Sequence, residues 1–291
     1  MTPQAAWLLA IRPKTLPAAV APVVVGSAFA AADGVFAPLP ALAALAGALL
    51  LQIGVNLAND YFDCVKGIDG AERLGPVRVA ASGLIPLPRL RLGIALDFGL
   101  ALLVGLYLVR AGGWPVLAIG LAAMLAALGY SGGPAPIASL GLGDVFVFAF
   151  FGLAGVCGTY YVQAQALTPA VAIAALPVGA LITAILVVNN LRDIASDARA
   201  GKRTLAVVLG PAGARIEYAL LVLGSYAAPI ALLARGEAGP RVLLPLASLP
   251  LAARLIRAVY REEGRALNRV LAGSALLALL FSVLLAAGVV R

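Results

Sequence analysis

Long apolar runs dominate the chain, and short polar stretches that contain Pro or Gly separate them. The runs are about 17–25 residues long, as an α-helix needs to cross a bilayer, and they lack the charged face of a soluble helix. Taking the breaks as helix ends, we predict an all-α membrane protein with nine spans and one integral-membrane domain over 1–291. The approximate bounds of the spans are 15–32, 39–58, 92–110, 113–130, 143–163, 170–190, 216–234, 241–259 and 269–290.

Composition and charge agree with this pattern. Hydrophobic residues make up 63% of the chain and charged residues 12%, against roughly 45–50% and 25% in soluble domains. All but four of the 21 Lys and Arg residues fall in the N-terminus, the loops 59–91 and 191–215, and the stretch 254–269. The positive-inside rule therefore predicts a cell inner-membrane protein whose N-terminus and two long loops are cytoplasmic and whose C-terminus is on the other side of the membrane. Nucleic-acid binding is disfavoured because these charges lack interleaved aromatic residues.

An acidic cluster precedes the first long loop. Asn56, Asp60 and Asp63 are spaced to share one face of a helix at the end of an apolar run. Carboxylates crowded at such a position repel one another and are costly to desolvate unless a cation lies between them. The chain contains no His, so oxygen must supply the ligands, which favours Mg²⁺, Mn²⁺ or Ca²⁺.

A matching cluster precedes the second long loop. Asn189, Asp193 and Asp197 recur at four-residue steps, and basic residues follow them. Because Mg²⁺ prefers one or two carboxylates together with substrate phosphate oxygens, two such clusters beside basic residues indicate a diphosphate site. The alternative is that each cluster only solvates a helix end and pairs with loop arginines. The similarity of the regions 56–69 and 189–203 also suggests an internal repeat.

These residues resemble the UbiA superfamily of intramembrane aromatic prenyltransferases, most closely its 1,4-dihydroxy-2-naphthoate polyprenyltransferase branch. The resemblance is carried by 7–16, 52–83, 130–134 with 141–144, and 188–210. The first motif has Gly67 where many other branches have Asp, with Asp69 as the next acid, which agrees with the naphthoate branch. Some relatives carry a basic residue where this chain has Ala135, Pro136 and Ile137.

The resemblance implies nine helices around a central cavity that is capped on the cytoplasmic side by the two loops and open sideways to lipid. It implies Mg²⁺, with Mn²⁺ as a second choice, held by residues of the two clusters: Asn56, Asp60, Asp63, Asn189, Asp193 and Asp197. The four aspartates of this set are the predicted catalytic residues. The implied diphosphate ligands are Lys66, Arg78, Lys202 and Arg203. Further candidates are Lys14, Asp69, Arg73, Tyr130 and Asn190.

The implied reaction transfers a polyprenyl group from polyprenyl diphosphate to 1,4-dihydroxy-2-naphthoate, with loss of CO₂, to give demethylmenaquinone in menaquinone biosynthesis. With no His in the chain, an aspartate of the clusters is the default general base. Two alternatives stay open. One is a different acceptor, such as homogentisate, another aromatic compound or a lipid alcohol. The other is a cation-coupled transporter, which is disfavoured because the acidic residues gather at one membrane face and not at the midplane.

Overall fold

The structure is a computed structural model that describes residues 1–67 and 74–290, and all regular secondary structure in these ranges is helical. The α-helices are α1 (Pro3–Ile11), α2 (Pro17–Ala32), α3 (Pro38–Val65), α4 (Leu87–Gly112), α5 (Trp114–Gly129), α6 (Gly143–Val147), α7 (Gly158–Ala164), α8 (Pro169–Arg199), α9 (Leu205–Gly224), α10 (Ala227–Ala234), α11 (Leu249–Arg261) and α12 (Leu267–Val289). A π-helical segment, Phe148–Cys157, joins α6 to α7. A 3₁₀ segment, Pro240–Ser248, precedes α11.

The described residues contain seven helical segments that are long and apolar enough to cross a membrane. There are eight if α2 and the preceding segment Pro3–Thr15, which meet at 49°, count as one span. The predicted span 113–130 corresponds to α5, which has only 16 residues, whereas a span needs about 20. All nine predicted segments are therefore helical, but nine full spans are not confirmed. The chain is a multi-span membrane protein.

The two helices that carry the acidic clusters extend past their predicted ends by about two turns. We predicted ends at 58 and 190, whereas α3 continues to Val65 and α8 to Arg199. Both helices stop in the same way, because Gly67 and Gly201 follow them with φ of 66° and 73°. Glycine adopts this left-handed conformation without a Cβ penalty and so ends a helix. The clusters therefore lie on the last turns of regular helices.

Close helix packing places α8 at the centre of the bundle. α8 packs against α9, the π-helical segment and α12, and α2 packs against α12 and the π-helical segment. Gly152 and Gly179 allow a close approach between the π-helical segment and α8, since a Cβ on Gly152 would lie 2.6 Å from the Cα of Gly179. In lipid the hydrophobic effect does not drive helices together, and small residues instead allow close van der Waals packing between them. The acidic ends of α8 and α3 lie on either side of Lys202, which is within 4 Å of both Asp197 and Asp63.

Candidate active site

A cavity of about 840 Å³ opens between α2–α8 and α12. Side chains of α4, α5 and the π-helical segment make its walls apolar, and one end is polar. No residue of α9, α10 or α11 lines it in the described part of the chain, so the helices surround the cavity unevenly. The polar end is lined by Arg12, Asn56, Asn59, Asp63, Arg78, Tyr130, Ser131, Asn189, Asn190, Asp193, Asp197, Arg199 and Lys202.

Asp60 fixes the first loop to α3. Its two carboxylate oxygens accept hydrogen bonds from the backbone N–H groups of Val79 and Ala80, at 3.2 and 3.1 Å. The guanidinium of Arg12 approaches the same carboxylate to 4.0 Å. Asp60 is only 1% exposed and is not among the residues that line the cavity. Among the predicted metal ligands, Asp60 is therefore the one whose observed contacts hold a loop in place and do not face the cavity.

Asn56 ties α3 to the N-terminal segment. Its side-chain amide donates to the carbonyl oxygen of Ile11 at 2.9 Å and to the Thr15 hydroxyl at 3.0 Å. Gln52, one turn earlier, donates to the same hydroxyl at 3.4 Å. Both bonds use the amide nitrogen of Asn56, which also lines the cavity, so they leave its carbonyl oxygen available as a ligand.

Asp63 joins the two loops through basic residues. It accepts a 2.8 Å hydrogen bond from Arg78 in the first loop, and the two side chains form a buried ion pair. The ammonium of Lys202, in the second loop, lies 3.6 Å from Asp63 and 3.9 Å from Asp197. Lys202 therefore bridges the first acidic cluster to the second, and the two loops meet over the polar end of the cavity.

Arg192 organises the second cluster. Its guanidinium donates to both carboxylate oxygens of Asp193, at 2.8 and 2.5 Å, and to the amide oxygen of Asn189 at 2.9 Å. It also donates to Asn268 on α12 at 2.8 Å. Asn268 in turn donates to the carbonyl oxygen of Leu74 in the first loop at 3.0 Å. The fork of one arginine thus orients two predicted metal ligands and connects them to the first loop.

Lys66 holds the end of α3 to the turn that follows α5. Its ammonium donates to the carbonyl oxygens of Ser131 and Gly133, at 2.7 and 3.2 Å. The Ser131 hydroxyl donates to the side chain of Asn59 at 2.7 Å. Lys66 is exposed and does not line the cavity, so its observed contacts are structural.

Tyr130 lies at the polar end with its hydroxyl against the backbone of α6. A Cβ built on Gly143 would lie 3.1 Å from that hydroxyl. Burial raises the pKa of the Tyr130 phenol above its ordinary value, and the negative charges of Asp144, Asp197 and Asp63 raise it further. Both causes disfavour the phenolate, so Tyr130 is a neutral hydroxyl at ordinary pH.

Of the remaining candidates, only Asn190 is brought to the site among the described residues. It lines the cavity and is 8% exposed, whereas Lys14 and Arg203 are exposed and absent from the cavity lining. Asp69 and Arg73 lie outside the described residues. The phosphate contacts expected of Lys66 and Arg203, and the candidate role of Lys14, stay predictions.

Three charged residues were missed by the sequence interpretation. We counted Arg192 only as a loop charge, although its position next to Asp193 was a usable signal. Asp144 and Glu217 fall inside predicted spans, where an ionisable group is a candidate functional residue by default. Both are buried or half-buried.

Comparison with known proteins agrees with this architecture. The chain is 45% identical to the 1,4-dihydroxy-2-naphthoate octaprenyltransferase of Escherichia coli (strain K12), over 76% of this chain and 73% of the relative. It is 35% identical to the enzyme of the same name from Haemophilus influenzae, over 97% and 94% of the two chains. The corresponding Mycobacterium tuberculosis protein is 41% identical over 83% and 90%.

Solved structures share the fold. A UbiA homolog from Archaeoglobus fulgidus bound to DMAPP and Mg²⁺ superimposes with a TM-score of 0.67 at 15% identity, covering 98% of each chain. The apo structure of a UbiA homolog from Aeropyrum pernix K1 gives 0.67 at 16% identity, covering 100% of this chain and 98% of that one. Residues 19–280 match the UbiA prenyltransferase family. The chain belongs to the UbiA prenyltransferase family.

Proposed function

We propose that this membrane enzyme transfers a polyprenyl group from polyprenyl diphosphate to 1,4-dihydroxy-2-naphthoate, with loss of CO₂, to give demethylmenaquinone. The curated relatives named above support the acceptor. The observation that carries the proposal is the cavity, in which a polar end with three carboxylates and four cationic side chains continues into apolar walls. That combination suits a molecule with a diphosphate head and a hydrocarbon tail.

The residues at the polar end fit Mg²⁺ that is bound together with a diphosphate. In the described part of the chain, no group of three or more acidic, His or Cys side chains is arranged to hold a metal alone. Mg²⁺ bound to a phosphate substrate needs only one or two carboxylates and keeps water and phosphate oxygens as its other ligands. Asp63, Asp193 and Asp197 would supply the carboxylates, with the amide oxygens of Asn56 and Asn189 beside them. The metal would neutralise charge on the diphosphate, and Mn²⁺ has the same oxygen preference.

The basic residues of the site have a direct electrostatic role. As the allylic C–O bond breaks, negative charge grows on the departing diphosphate, and preorganised cations stabilise it. Arg78 and Lys202 are already held at the cavity by Asp63, so they need little reorganisation when substrate binds. Asp60 and Arg192 act on the reaction indirectly, by fixing the loop and the second cluster.

The apolar part of the cavity serves the other half of the substrate. Its lining includes Phe146, Phe150 and Phe151 together with small residues of α3 and α5. These side chains exclude water from the allylic cation, which water would otherwise hydrolyse. We propose that the enzyme lies in the cell inner membrane with the polar end of the cavity on the cytoplasmic side, since the positive-inside rule predicts that the two basic loops at this end are cytoplasmic.

Prenyl transfer in detergent or bilayers tests the proposal. Labelled polyprenyl diphosphate and 1,4-dihydroxy-2-naphthoate are supplied with Mg²⁺, with Mn²⁺ or with a chelator. Wild type is compared with Asp63→Asn, Asp193→Asn and the exposed control Glu263→Gln. We expect a prenylated, decarboxylated product that requires the metal and is lost only in the two aspartate variants. Diphosphate release without product would refute the acceptor, and an absence of any diphosphate release would refute prenyl transfer and favour a transporter.

A further inference from the structure

The apolar part of the cavity runs through most of the thickness of a membrane. On α3 the cavity lining extends from Asp63 at the polar end to Ala44 near the other end of the helix, which is about 28 Å along the helix axis. The hydrocarbon core of a bilayer is about 30 Å thick. Under the proposed function the diphosphate binds at the polar end, so the hydrocarbon tail of the substrate has a path of this depth inside the protein.

Helix α7 supplies part of the deep end of the cavity. Thr159 and Val162 of α7 line it together with Val116 near the start of α5, and we call these three residues the floor. The floor is tightly packed, because a Cβ built on Gly112 would overlap with Val116 and lie 3.3 Å from Val162. A tail that follows the cavity to this depth therefore meets a barrier of packed side chains.

Side-chain hydrogen bonds hold α7 in this position. The Tyr160 hydroxyl donates to the carboxylate of Asp33, just after α2, at 2.7 Å. The side-chain oxygen of Gln163 accepts from the backbone N–H of Ala37, just before α3, at 3.2 Å. Gln165, directly after α7, donates to a backbone carbonyl oxygen in the last turn of α4. These bonds tie α7 to three neighbouring segments, so the floor is a fixed part of the fold.

Two glycines leave room for the tail at different depths. Gly120 of α5 and Gly105 of α4 line the cavity, and a Cβ built on either would have nothing within 4 Å. Gly120 lies about 14 Å from the end of α5 at the polar end of the cavity. Gly105 is deeper, because its neighbour Val104 lies 3.6 Å from a Cβ built on Gly47, which is about 24 Å along α3 from Asp63. A large side chain at either glycine would occupy the path of the tail at that depth.

We propose that the floor limits the length of the prenyl tail that the enzyme accepts, and that Gly120 and Gly105 keep the path to the floor open. This inference rests on the proposed function, since it takes the tail to be that of the polyprenyl diphosphate. A tail that fits between the polar end and the floor lies wholly inside the protein. A longer tail has to fold back or leave the cavity at a cost, so the enzyme discriminates between donors by length.

Binding and transfer with a series of donors, from geranyl to decaprenyl diphosphate, test this inference. The Kd of each donor is measured without acceptor, and kcat/KM is measured with 1,4-dihydroxy-2-naphthoate. Wild type is compared with Gly105→Phe, Gly120→Phe, Val162→Ala and the control Gly99→Phe. Gly99 is on the same helix as Gly105 and an added Cβ would also have nothing within 4 Å, but Gly99 is exposed and does not line the cavity.

The expected result is a change in length preference that depends on depth. Gly105→Phe should bind geranyl diphosphate as wild type does and bind the longest donors at least about tenfold more weakly. Gly120→Phe should lose affinity from a shorter length onwards, because it blocks the path nearer the polar end. Val162→Ala enlarges the floor and should improve the longest donors relative to geranyl diphosphate, and Gly99→Phe should match wild type at every length.

Other results separate this inference from the proposed function. If the two cavity variants bind the longest donors as wild type does, or lose all lengths by the same factor, the tail leaves the cavity sideways and the inference is overturned. An unchanged length preference in Val162→Ala would overturn the role of the floor. If the Kd series follows the expected pattern but wild type forms no product with the naphthoate, the proposed acceptor fails and the inference about the tail stands.

Discussion

Replacing Arg192 by Lys tests whether the second acidic cluster depends on one guanidinium. Arg192 makes four hydrogen bonds, two to Asp193 and one each to Asn189 and Asn268. Lysine keeps the positive charge but lacks the planar fork, so it can satisfy only part of this set. The cluster would keep its charge and lose its orientation.

The size of the effect follows from those contacts. A hydrogen bond to a charged group contributes about 1.5–3 kcal/mol and a neutral one about 0.5–1.5 kcal/mol. Asp193 remains 13% exposed, so water replaces part of what is lost. We take about 2 kcal/mol as the net loss, which corresponds to a factor of about 30 in kcat/KM for polyprenyl diphosphate.

Initial rates over a range of polyprenyl diphosphate concentrations measure this loss. The matched control is Arg254→Lys, at an exposed position of α11, which should leave kcat/KM unchanged. If Arg192→Lys stays within about threefold of the control, or under about 0.7 kcal/mol, the guanidinium does not orient the cluster and this reasoning is refuted.

Three further changes give measurable outcomes. Lys202→Ala removes the cation that lies between Asp63 and Asp197 and should raise the KM for polyprenyl diphosphate about tenfold, or about 1.4 kcal/mol. The control Arg257→Ala, at an exposed position of α11, should leave this KM unchanged, and equal effects would contradict the bridging role. Asp60→Asn places an amide group where two backbone N–H groups point. It should lower the free energy of unfolding by about 1–3 kcal/mol, which is measured as a lower thermal midpoint. An unchanged midpoint would show that these N–H groups do not need the carboxylate. Gly54→Ala puts a Cβ 2.6 Å from Asp97 and 2.9 Å from the Phe98 ring and should lower the thermal midpoint of unfolding. The control Gly99→Ala, whose Cβ would have nothing within 4 Å, should leave this midpoint unchanged. Similar midpoints for the two variants would mean that α3 and α4 can move apart at little cost.

The positions of the helices followed from hydropathy because lipid requires each crossing segment to be apolar and to satisfy its own backbone groups. The ends of α3 and α8 did not follow, since a helix that leaves the bilayer can continue on polar residues. Helix α1 was also missed, because its run from Pro3 to Ile11 is too short to be a span. The π-helical segment leaves no periodic signal in an all-apolar stretch.

The membership of the site was easier to predict than its internal contacts. Spacing placed Asp63 in the first cluster and Asp193 and Asp197 in the second, the two basic loops put both clusters on one side of the membrane, and all three residues line the cavity. Spacing does not distinguish a carboxylate that faces the cavity from one, such as Asp60, that binds a neighbouring loop. It also says nothing about long-range partners, such as the 76 residues that separate Arg192 from Asn268.

The number of residues in the π-helical segment matters for the shape of the cavity. Each residue of an α-helix advances the chain by about 100° around the axis, and a π-helix accommodates extra residues without breaking the helix. Deleting one residue between Phe148 and Cys157 would favour an ordinary α-helix and turn Asp144 relative to Thr159 by about that angle. Surface loops tolerate such deletions, whereas here the deletion would rotate the side chains that line one wall of the cavity. Relatives of different length should therefore keep the residue count of this segment and vary elsewhere.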